Sequence, residues 1–148
     1  MKSVLHAVVA IFFGLAGCQV LASEYAGVVK TARGNVSLER SGARIPATPG
    51  GRVHQGDRIV TAADGYVGIT LSDDTLLTLG PGSDLVLDTY GFDPKTHEGS
   101  FLASLAKGAL SVVTGLIARH SPDSFAVKTR VSTMGVRGTE FIVEAYER

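Results

Sequence analysis

The chain has 148 residues, 14 basic and 14 acidic side chains, 18 glycines, one cysteine and no tryptophan. That length holds one domain, and balanced charge argues against nucleic acid as a partner. A lone cysteine excludes an internal disulfide framework or a zinc site built on several thiolates, and glycines without a three-residue period exclude collagen.

The first segment reads as an address. Lys2 is the only charge before Glu24, and Ala7 to Cys18 carries no polar side chain. This run suits the apolar region of a signal peptide, about 7–15 residues, and falls short of the ~20 that span a membrane. A buried helix is the bland alternative. Leu15-Ala16-Gly17-Cys18 resembles a lipobox, which makes residues 1–17 the signal and Cys18 the lipidated first residue. Val20-Leu21-Ala22 offers a second cut after residue 22, in which case Cys18 is discarded. In the lipobox reading residues 18–24 form a short tether, and 25–148 the domain. Gln19 after the cysteine resembles an outer-membrane address. The expected location is the periplasm, either anchored to the outer membrane as a lipoprotein or soluble, or outside the cell.

From Tyr25 onward short apolar alternations recur between turns. Val28-Val29 and Val36-x-Leu38 flank Arg33-Gly34-Asn35, which reads as a hairpin-like turn. Arg58–Thr61 follows Gln55-Gly56-Asp57. Ala63-Asp64-Gly65 leads into Tyr66–Leu71, where Val67, Ile69 and Leu71 share one face. Asp73-Asp74 precedes Thr75–Leu79, and Gly80-Pro81-Gly82-Ser83 precedes the strand marked by Leu85 and Leu87. Phe92–Lys95 reads as a loop with an aromatic anchor. Ser100–Lys107 fits a strand or a helix, with strand favoured by its bracketing by Gly99 and Gly108. Leu110–Thr114 reads as a strand, Leu116–His120 as a short helix or bent strand stopped by Pro122. Phe125 with Val127, and Phe141 with Val143, mark two further strands. The expected fold is all-β: a single compact β-solenoid-like or rolled β domain of short strands, with at most one short helix.

Read together, these steps resemble the FecR domain family from about Tyr25 to Glu144. Gly27-Val28-Val29 with Gly34–Leu38 is similar to its opening strands, and Gly56-Asp57-Arg58-Ile59-Val60-Thr61 to its G-D-x-I-x-T step. Leu76–Ser83 is similar to its L-x-L-x-P-x-S step, and Gly135-Val136-Arg137-Gly138-Thr139-Glu140-Phe141 to its closing V-R-G-T-x-F. Two departures stand out: Arg130 follows Thr129 where proline is usual, and Asp73-Asp74 replaces the commoner Asp-Gly. The resemblance implies an envelope domain. In well-known members it relays a signal from an outer-membrane receptor to a sigma-factor system. Those members carry a cytoplasmic helical segment and a spanning helix, which this sequence does not display. The implied role is therefore an exported interaction, sensing or relay module whose partner is another envelope protein. A lipidated Cys18 would add the membrane as a second contact.

The family-motif residues Gly56, Asp57, Gly135, Arg137, Gly138, Thr139 and Phe141 are the candidate structural or partner-binding set. Arg137 either points inward to pair with Asp57 or Glu140, or presents its guanidinium to a partner carboxylate. Asp64, Asp73, Asp74, Asp84 and Asp88 read as turn residues. Oxygen-rich turns can bind calcium, but no Asp-x-Asp-x-Asp-Gly loop occurs. No histidine pair has metal-ligand spacing, and neither nucleophile elbow nor phosphate loop is present. No catalytic residue, cofactor or metal is therefore expected. A carbohydrate- or peptidoglycan-binding module is the alternative function. It wants aromatics along a groove, whereas Tyr25, Tyr66, Tyr90 and Tyr146 are spread along the chain.

Overall fold

The computed structural model describes residues 25–136 and 138–147. The signal, the tether, Cys18 and Arg137 lie outside them. Twelve strands are described: β1 (Gly27–Arg33), β2 (Val36–Arg40), β3 (Ala43–Pro46), β4 (Arg52–Val53), β5 (Arg58–Thr61), β6 (Tyr66–Leu71), β7 (Leu76–Leu79), β8 (Asp84–Phe92), β9 (Gly99–Val113), β10 (Phe125–Lys128), β11 (Thr133–Gly135) and β12 (Glu140–Ala145). One short helix, α1 (Leu116–His120), and a 3-10 turn at Pro122–Ser124 follow β9.

The strands form one curled sheet with two halves that share β9. In the first half the order is β4-β1-β6-β7-β9-β12. In the second it is β3-β2-β5-β8-β9-β10-β11. Every pairing is antiparallel except β9 with β10. The mainly β content and the single short α-helix among the described residues match the sequence expectation. Stacked solenoid coils are compatible with this curl but are not established by these pairings.

The curl follows from where apolar residues fall. Val67, Ile69 and Leu71 on β6, with Leu77 and Leu79 on β7, are buried and face Ile59, Leu85 and Leu87 from the second half. Phe101 and Phe125 are register partners across the parallel pair, and their rings stack at 4.2 Å. Ile117 of α1 is fully buried against this core. Each buried aliphatic or aromatic side chain contributes roughly 1.5–3 kcal/mol relative to exposure. Folding one sheet over itself is thus the way these alternating strands hide a single apolar face.

Three readings need correction. Arg33-Gly34-Asn35 is not a hairpin, because β1 pairs with β4 and β6 while β2 pairs with β3 and β5. The turn is a corner that carries the chain from one half to the other. There Asn35 Nδ2 donates to the Asp64 carboxylate at 3.3 Å, and Ala62 N–H donates to Asn35 O at 2.9 Å. Gly108 does not end a strand either. It bends β9 at φ +91, which a glycine adopts without steric cost. Strands β3, β4 and β11 went unread because they lack alternation: β3 and β11 are exposed along their whole length, and β4 has two residues.

Candidate functional site

The Gly56–Thr61 step supplies both a buried ion pair and a crease. Gly56 turns at φ +87, its N–H donating to Leu87 O. Asp57 is completely buried. Its carboxylate accepts Arg40 Nε at 2.7 Å, Arg40 Nη2 at 2.6 Å and the His54 N–H at 2.8 Å. Arg40 reaches it because strand alternation places Arg40 on the same side of β2 as the buried Leu38. Fork geometry satisfies both carboxylate oxygens, which a buried charge requires.

Thr61 ends the step. Its hydroxyl donates to Gly80 O at 2.7 Å and accepts the Ser83 N–H at 2.8 Å. Ser83 Oγ in turn donates to Gly80 O and accepts the Ala109 N–H. Thr61 and Ser83, the last residues of two separate motifs, therefore stitch neighbouring corners together where the sheet bends.

On the outer face of the second half, charges alternate across successive strands. Arg44 on β3 pairs with Glu39 on β2 at 2.8 Å, and Glu39 with Arg58 on β5 at 3.1 Å. Arg58 pairs with Asp84 on β8 through Nε and Nη2, and Asp84 lies opposite Lys107 on β9. The Arg58 hydrogen bonds hold the Asp84 carboxyl below its usual range and outweigh its partial burial. Its stabilising contribution is thus full above the ordinary carboxylate pKa near ~3.9 and is lost as pH falls through the lower folded value. The melting temperature should drop on acidification below about pH 4. A shallower drop is expected in Asp84→Asn, and equal slopes in the two proteins would refute this assignment.

Asp84 thus opens strand β8 rather than lying in a turn, whereas Asp73 lies in the turn expected of it. Asp73 is fully buried. It accepts the Thr75 hydroxyl at 2.7 Å, the Tyr90 hydroxyl at 3.0 Å and the Ile117 N–H, at the start of α1, at 3.2 Å. The Tyr90 hydroxyl also accepts the Asp73 N–H at 3.0 Å. Burial, and then the neighbouring Asp73 charge, pushes the Tyr90 phenol upward, so it stays protonated and donates. Asp74, the neighbour on the other side of the chain, is exposed at φ +67.

Tyr90 so held forms one wall of an open pocket of about 270 Å³, with Tyr25, Ser72, Gly91, Phe92 and Pro94. Arg52 lies over the Tyr25 ring at 4.9 Å, and Phe92 stacks on His97. Tyr25 and Tyr90 are far apart in sequence, yet the fold brings them to one place.

The closing motif lies elsewhere. Gly135 ends β11, and Gly138 turns at φ +134. Thr114 Oγ1 donates to Gly138 O at 3.0 Å, and the Thr114 N–H donates to Thr139 O at 2.9 Å. Phe141 pairs with Val112 in register and packs on the core from β12. Asp57 groups with Arg40 and His54, and 138–141 with Thr114 and β9. These two parts of the candidate set serve two separate regions. Where β12 and the β10–β11 loop approach, an open groove of about 510 Å³ is lined by Ala106, Thr129, Arg130, Val131, Glu144, Ala145 and Tyr146. Val131 and Tyr146 are 93% and 76% exposed there.

The profile of one protein family, described as FecR protein, matches residues 57–148. The chain belongs to the FecR family. The match begins at Asp57 and contains the buried-aspartate step, the Leu76–Ser83 step and the closing motif. No curated protein and no solved structure matches the chain. Strands β1 to β4 precede the matched segment, yet β1 and β2 pair directly with β6 and β5 inside it. The FecR preference for Asp-Gly after Leu71 also acquires a physical reason. Asp74 holds the left-handed φ that glycine adopts freely, and aspartate is among the few other residues that tolerate it. Among the described residues no cluster of three or more His, Cys, Asp or Glu could hold a metal, and no helix is long and apolar enough to cross a membrane.

Proposed function

We propose that this FecR-family chain is a non-catalytic module of the cell envelope that binds another envelope protein in sensing or signal relay. The family match over 57–148 carries the reading. The groove beside β12 supports it, because two large apolar side chains, Val131 and Tyr146, stand in solvent beside strands with unpartnered edges. Among the described residues β11 pairs only with β10, and β12 only with β9. Free main-chain edges flanked by apolar anchors suit strand addition by a partner. Arg130, in the same groove, supplies a cation for an acidic side chain of that partner.

A photo-cross-linking residue in place of Val131, used in intact cells, is expected to capture a second protein. Adducts with glycan alone would move the assignment to the alternative, a carbohydrate- or peptidoglycan-binding module. One observation favours that second reading: Tyr25, Tyr90 and Phe92 converge on one pocket. Sugar rings stack on such aromatic walls. It predicts that Phe92→Ala abolishes sedimentation of the protein with isolated cell wall.

The chain is proposed to reach the envelope through the signal at 1–17 and to be held at the outer membrane by lipid on Cys18. Mass spectrometry of the mature protein should find an acylated N-terminal cysteine that Cys18→Ala removes. A free terminus at Ser23 would instead establish secretion without an anchor.

A further inference from the structure

The outer faces of the two half-sheets are built in opposite ways. The second half is crossed by the Arg44–Glu39–Arg58–Asp84 ladder. On the first half, among the described residues, no charged side chain occupies an outward position of β6, β7 or the 109–113 part of β9. Register and alternation define its rows. One row runs Arg52, Val28, Thr70, Leu76, Val113, Glu140 across β4-β1-β6-β7-β9-β12. The next runs Thr31, Gly68, Thr78, Ser111, Ile142. The centre is thus made of small or apolar groups. Leu76 is 43% exposed and Ile142 68%.

The charged side chains of these strands fall toward the two borders, and with opposite signs. Arg52 on β4 with Lys30 and Arg33 on β1 stand on one side, Glu140 and Glu144 on β12 on the other, and Asp74 lies beyond the rows in the β6–β7 turn. We propose that this face is a homodimer interface whose occupant is the same face of a second copy.

The symmetry argument selects that occupant. A two-fold axis between two stacked faces, parallel to the strands and over the β6–β7 boundary, exchanges the left and right borders while keeping each row in place. Arg52 of one copy then faces Glu140 of the other, in the same row, and the reciprocal pair forms at the opposite border. Arg33 comes within one strand spacing of Glu144 in the same way. An isologous contact requires this self-complementarity. The uncharged centres meet each other at the ~10 Å separation of packed sheets.

Size sets the strength. Six strands at ~4.8 Å each and about five residues at ~3.3 Å give roughly 500 Å² per copy. The pair buries roughly 1,000 Å², near the lower bound for a specific interface, so a weak, reversible dimer is expected.

The test is sedimentation equilibrium of the full chain in a Cys18→Ser background, which removes both lipid and disulfide links between copies. A concentration-dependent dimer should form. Thr78→Lys, which puts a charge at the centre, should weaken it at least ~10-fold. Arg52→Glu and Glu140→Lys should each weaken it by about 10-fold, and the double swap should recover most of that loss. Melting curves identify any variant that fails to fold, and the swap pair decides the matter even if Thr78→Lys is lost. A monomer up to ~1 mM, roughly the weakest association such a surface would give, overturns the proposal. So does a dimer whose constant is the same in the parent and in all three single-substitution variants. Val131 lies outside this face, so the cross-linking experiment above succeeds or fails independently.

Discussion

Gly108→Ala should unfold the domain, or leave it more than about 3 kcal/mol less stable. Two costs add. Gly108 has φ +91, a conformation L side chains rarely adopt. A Cβ there would also lie 2.1 Å from Ser83 Oγ and 2.4 Å from Ser83 Cα. The second distance decides the magnitude, because a side chain can rotate away but the Ser83 backbone is held by Thr61, whose hydroxyl accepts the Ser83 N–H. Ser83→Gly should therefore fail to rescue the variant. Urea denaturation followed by circular dichroism measures the loss. A midpoint equal to the parent's would mean that the crease does not depend on close approach of these two corners. The consequence is global, since β9 is the strand both half-sheets share.

Asp73→Ala should cost about 3–4 kcal/mol, because buried donors left without an acceptor each cost about 1–3. Four donors lose their acceptor: the Thr75 hydroxyl, the Thr75 N–H, the Tyr90 hydroxyl and the Ile117 N–H. Tyr90→Phe removes one of these contacts and the acceptor of the Asp73 N–H, and should cost about 1–2 kcal/mol. Asp73→Asn should fall between, since an amide presents a donor where two donors already point. The order alanine, asparagine, then Tyr90→Phe in chemical denaturation is the expected outcome. A Tyr90→Phe cost larger than that of Asp73→Ala would show that the ring, not the carboxyl, organises this corner. Loss of Asp73 should also free Tyr90 from its place in the pocket wall, so cell-wall binding, where present, should fall with stability.

The Asp57 and Asp73 sites illustrate a shared rule. Each carboxyl is buried and is surrounded by donors that come from distant strands or from a helix start. In sequence, both look like turn aspartates. The difference lies in which way the side chain faces, and that depends on the neighbouring strands. Arg40 could not be singled out as the partner of Asp57 from spacing alone. It ends a strand whose pairings, to β3 and β5, are set by residues well beyond it.

The strands from Arg58 to Leu87 were legible because their apolar residues recur with period two between clear turn residues. The helix at Leu116–His120 and the strand nature of Ser100–Lys107 were legible as one of two readings each. The family was legible too, since its motifs are short, ordered and dense in glycine and aspartate. Strands β3, β4 and β11 were not, because they bury almost no side chains and so leave no periodic trace.

The sequence by itself thus determined the strands that alternate, their inward faces and the FecR membership, because these depend on local alternation and turn chemistry. Only the tertiary structure decided which strands pair, where the sheet creases, and which aspartates are buried. It alone brought Tyr25 beside Tyr90 and set the uncharged face between basic and acidic borders. Those features arise from register across strands distant in sequence, and one residue's shift in register would send every one of these side chains to the opposite face.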